Sequence, residues 1–129
     1  MDQVSPLNLG GNMKDYEFEF EIENEKYGLV FNLNVMEAIQ KQYGTVQKWG
    51  NLTDNKGGKE PNAKALIFGF TEMINEFIDI NNEKNGSNNP FLSQKQVGRI
   101  ITRAGLKETA KKLNNAITES VKDEHPKNI

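Results

Sequence analysis

Tyr16-Glu17-Phe18-Glu19-Phe20-Glu21-Ile22-Glu23 alternates four apolar residues with four glutamates without a break. A two-residue period places successive side chains on opposite faces of an extended strand. The stretch therefore predicts a strand with an aromatic face to bury and a carboxylate face turned to water. Asn24-Glu25-Lys26 supplies a tight connection, and Tyr27-Gly28-Leu29-Val30-Phe31-Asn32-Leu33 reads as a second, more apolar strand. A lone hairpin is marginal in water, so its Tyr/Phe face needs a cover. The rest of the chain offers helices for that purpose. The fold class is α+β: an N-terminal β-hairpin packed against a bundle of four to five mostly short helices.

Helix signals recur down the chain. Asn34 with Glu37 three residues on matches a capping box, with Met36, Ala38, Ile39 and Tyr43 as the apolar side and Gly44 as the stop. Thr45 can cap one further turn, Val46 to Trp49, closed by Gly50. Residues 51–59 are loop by composition, and Pro61 suits the first position of the longest helix. There Ala63, Leu66, Ile67, Phe70, Ile74 and Phe77 recur at helical steps, flanked by Phe68, Met73 and Ile78. Gly69 inside this helix costs roughly 1 kcal/mol against alanine, which predicts a close neighbour at that point. Residues 81–90 read as a polar loop, and Ser93 with Gln96 forms a second capping box. Val97, Ile100, Ile101 and Ala104 face inward up to Gly105; Leu106, Ala110, Leu113, Ile117 and Val121 line the last helix. Trp49 reads first as core filler and second as an interface anchor.

At 129 residues the chain makes one domain over 15–122, with a flexible arm at 1–14 and a disordered tail at 123–129. It has no cysteine, so neither a disulfide framework nor a thiolate metal site is possible. The first residues lack the basic and apolar regions of a signal peptide, and no apolar run approaches ~20 residues, so no membrane partner is expected.

The tested motifs fail one by one. Asp79-Ile80-Asn81-Asn82-Glu83 begins like a calcium loop, but Lys84 stands where glycine is required and Pro90 where the closing carboxylate should be. Gly57-Gly58-Lys59 resembles a phosphate loop, yet Thr53 and Glu60 occupy its other defining positions. The single histidine, His125, lies in the tail, so hydrolytic triads lack a base. The expectation is a protein without enzymatic activity, metal or cofactor.

Charge is segregated. Residues 15–25 carry six acids and no base, whereas residues 95–112 carry six bases and one acid. Such ends either steer copies of the chain head to tail or remain two solvated faces. Lys95, Arg99 and Arg103 share one helix face, followed by a glycine turn and another helix, as in DNA-reading helix-turn-helix units. The acidic strand and the net charge of −2 oppose phosphate, so no nucleic-acid partner is expected.

Several stretches together resemble a known family over about residues 16–121: Tyr27-Gly28-Leu29-Val30-Phe31-Asn32-Leu33-Asn34-Val35-Met36, Tyr43-Gly44 with Lys48-Trp49, Lys64 through Glu76, and Lys95 through Ile101. The family is the tail assembly chaperones of long-tailed (siphovirus-type) bacteriophages and prophages of Gram-positive hosts. The resemblance implies a non-enzymatic protein of the bacterial host cytoplasm, absent from the mature virion. It would bind the tape-measure protein, keep it soluble and help recruit tail-tube subunits. The alternatives are a structural tail or connector protein of the virion, or the DNA-binding regulator. A coat along a long client needs many copies, and heterologous contacts between opposed charges give open spirals. On that reading Glu17, Glu19, Glu21 and Glu23 meet Arg99, Arg103 and Lys107 of the next copy.

Overall fold

The computed structural model describes residues 16–22 and 25–122, with side chains from 26 to 118. Strands β1 (Tyr16–Ile22) and β2 (Glu25–Phe31) form an antiparallel hairpin. Helices follow in the order α1 (Leu33–Tyr43), α2 (Val46–Thr53), α3 (Ala63–Asn85), α4 (Gln94–Ala104) and α5 (Leu106–Lys122). This is the expected α+β architecture. The arm at 1–14 and the tail at 123–129 lie outside the described residues.

The hairpin departs from a simple two-faced ribbon. Leu29, Val30 and Phe31 are 0, 1 and 4 % exposed, so β2 is covered on both sides. One cover is α3, which packs along β2; a Cβ at Gly28 would lie 2.6 Å from the ring of Phe77. Leu29 and Phe31 instead join the central cluster with Val35, Ile39, Trp49, Leu66, Phe70 and Leu113. The last helix, α5, packs against both strands. Glu25 and Lys26, expected in the turn, already belong to the ladder, where Glu25 pairs with Ile22 and Lys26 with Glu21.

Helix starts also move. The cap of α1 is Asn32, whose Oδ1 accepts from Val35 N at 3.2 Å, rather than Asn34. Starting there turns Val35 and Ile39 inward, and both are buried. Thr45 caps α2 as expected, but that helix passes Gly50 and ends at Thr53. Thr53 is buried and donates its hydroxyl to the carbonyls of Trp49 and Gly50, which closes the extra turn. Asn62, not Pro61, opens α3, accepting from Ala65 N at 2.9 Å.

The long helix runs through Asn81–Asn85, read from sequence as loop, and stops at Gly86 in the left-handed conformation (φ 61°). Asn81 tolerates the helix because its side chain donates back to the Phe77 carbonyl. Its buried side carries Ala65, Leu66, Phe70, Met73, Ile74 and Ile78; Ala63 is exposed, and Ile67, Phe68 and Phe77 are half-buried. Gly69 does have the close neighbour its cost implies: Trp49 lies against it, and the indole Nε1 donates to the Ala65 carbonyl at 2.9 Å. The loop after α3 is fastened twice. Asn82 exchanges hydrogen bonds with the Asn89 backbone, and Asn75 exchanges them with Leu92 N and O at 2.8 and 3.0 Å.

Candidate functional site

Both arms of the Ser93–Gln96 capping box are made, which fixes the phase of α4. Val97, Ile100 and Ile101 then turn inward, while Lys95, Arg99 and Arg103 form an exposed row. Ala104, expected inside, is exposed as the helix ends at Gly105, whose φ of 101° sets the sharp turn into α5. Lys107 is exposed beyond that turn. Ala110, Leu113 and Ala116 bury α5, with Leu106 and Ile117 half-buried.

The glutamates of the first strand stand differently. Glu17, Glu19 and Glu21 pair in the ladder with Val30, Gly28 and Lys26. Their side chains, and Glu23 altogether, lie outside the described residues. Their ladder partners Val30 and Gly28 are interior positions, one buried and one beneath Phe77.

An acidic surface lies on α3. Glu72, Glu76, Asp79 and Glu83 follow at four-, three- and four-residue steps, which places them on one helix face. Partial burial raises the Glu72 carboxyl above the ordinary glutamate range, and the neighbouring Glu76 charge adds to the effect. Glu76 Oε2 accepts from Asn32 Nδ2 at 2.8 Å and Asn34 Nδ2 at 3.0 Å, tying α3 to the junction of β2 and α1. Between those two asparagines, Leu33 is 77 % exposed. Farther along, a shallow concavity of 490 Å³ is bordered by Asp79, Asn82, Glu83 and Phe91. Phe91 is 56 % exposed. The step pattern of the four acids is the sequence signal for this surface; the apolar pattern of the same helix overshadows it.

Neither of the two loop-like motifs keeps its binding shape. The calcium-like segment is helical, and Gly57-Gly58-Lys59 is a single 3₁₀ turn and its exit. Lys59 there bonds the Asn51 carbonyl and lies 3.5 Å from Asp54. Asp54 is held below its ordinary value by the Lys56 backbone N–H, with Lys59 contributing. Among the described residues no group of three His, Cys, Asp or Glu side chains could hold a metal, and no helix is long and apolar enough to cross a membrane. Set against protein-family models, curated proteins and solved structures, the chain matches none of them.

Proposed function

We propose that this protein is a tail assembly chaperone of a long-tailed bacteriophage or prophage, which holds the tape-measure protein soluble in the host cytoplasm until tail-tube subunits enclose it. The carrying observation is where the stretches that resemble that family meet. Residues 27–36, 64–76 and 95–101 form β2 with the start of α1, the buried half of α3, and most of α4. They touch at the joints of the fold: Glu76 holds Asn32 and Asn34, and Gly98 sits 3.6 Å (as a Cβ) from Ile67. The resemblance thus lies in residues that set a fold, as suits a family defined by holding rather than by chemistry. Two charged rows and the exposed Leu33 and Phe91 suit a protein that grips other polypeptides.

Co-expression with the tape-measure protein tests this reading. The expected result is a client that becomes soluble and co-purifies with the chain; a client equally insoluble with and without it overturns the proposal. Persistence of the chain in purified virions favours instead a structural tail or connector protein. The exposed row Lys95, Arg99 and Arg103 supports one rival, duplex DNA binding. That rival demands an affinity falling steeply with salt.

A further inference from the structure

We propose that copies of this chain associate by laying the basic row of α4 in one molecule (Lys95, Arg99, Arg103) against the acidic row of α3 in another (Glu76, Asp79, Glu83), with Leu33 and Phe91 at the margins of the contact. The contact uses faces of the domain itself and stands whether or not the client is a tape-measure protein.

The two rows belong to packed neighbouring helices, yet among the described residues Glu72, Asp79, Glu83, Lys95 and Arg99 form no salt bridge within the chain. The topology explains why. Leu92 is pinned at Asn75, and Gly98 lies beside Ile67, so α4 runs back along the first half of α3. Glu76, Asp79 and Glu83 occupy the second half. The rows therefore follow one another along the molecule, and a second molecule is needed to set them side by side. Their lengths match: Glu76 to Glu83 spans ~10 Å of helix and Lys95 to Arg103 ~12 Å, at about 1.5 Å per residue.

Exposed ion pairs contribute little by themselves. Here the acidic row has two exposed apolar side chains beside it. Leu33 sits between the asparagines bound to Glu76, and Phe91 shares a concavity with Asp79 and Glu83. Burying those two side chains in a contact excludes water from the charges beside them, which is where charge complementarity gains strength and register.

Sedimentation velocity on the full chain, over a concentration series at low and high salt, tests the contact. The wild type is expected to associate at low salt and dissociate as salt rises. The variant D79K/E83K, and separately K95E/R99E, should raise the dissociation constant about tenfold or more. An equimolar mixture of the two variants should associate again, because each carries the row the other lacks. All four positions in the two double variants are exposed, so unchanged circular dichroism is expected to accompany the loss. Phe91→Ser should weaken association at any salt concentration. A wild type that stays monomeric throughout, reversed variants that associate normally, or a mixture that does not recover would each overturn the proposal.

Discussion

Trp49 occupies the space in which a side chain at residue 69 would begin. A Cβ built on Gly69 would lie 2.2 Å from Cζ2 of the indole. The indole is fully buried and its N–H is held by the Ala65 carbonyl one turn earlier, so it has little freedom to retreat. Gly69→Ala gains about 1 kcal/mol of helix propensity. It also overpacks the core, at a cost of ~1–3 kcal/mol or more where the neighbour cannot move. We expect a net loss of ~2 kcal/mol in urea unfolding. An unchanged or higher midpoint would show that the indole can shift.

Glu76 serves as a staple between α3 and the entry to α1. Glu76→Ala leaves the amide groups of Asn32 and Asn34 without this acceptor. Both sites reach solvent in part, so the expected cost is ~1–2 kcal/mol. Glu76→Gln keeps an acceptor oxygen and should recover most of it. Thermal unfolding of the pair separates the two cases.

Glu72 gives a pH signature. Its folded carboxyl is raised, so the native state holds that proton more tightly than the unfolded chain does. The protonated form therefore contributes stability, present below the unfolded value and lost as pH rises through the folded value. Glu72→Gln should flatten this part of the stability profile, just above the ordinary glutamate range. An identical profile for wild type and variant would refute the assignment.

Asn75 pins the far end of the loop by bonding both backbone groups of Leu92. Asn75→Ala removes both bonds from a half-buried position. We expect ~1–3 kcal/mol of destabilisation and faster amide exchange at Leu92. Exchange at Leu92 no faster than in the wild type would show that the capping box alone holds the start of α4.

Much of this was readable from residue patterns. The strand at Tyr16–Ile22, the stops at Gly44 and Gly105 and the Ser93–Gln96 box all rest on local rules that tertiary context left intact, and the cost of Gly69 correctly signalled a close neighbour. Caps were less legible, because Asn32 and Asn34 are equally able caps by residue type, and only Asn32 accepts from the backbone N–H of Val35. The end of α3 was hidden by its asparagines, which suit a loop until their side chains find carbonyls such as that of Phe77. Alternation in β1 says nothing about how many layers cover β2. For the candidate surface, the basic row follows from spacing alone. That it is displaced along the molecule from the acidic row depends on the path of the loop between α3 and α4.

Trp49 is also the chain's one tryptophan. Its emission therefore reports a single environment, the seam where α2 crosses α3, with no second fluorophore of its kind to average over. A red shift on denaturation marks the opening of that seam. A partner that binds at the surface without disturbing it leaves the spectrum where it was, so the protein carries its own optical control for every association measurement made on it.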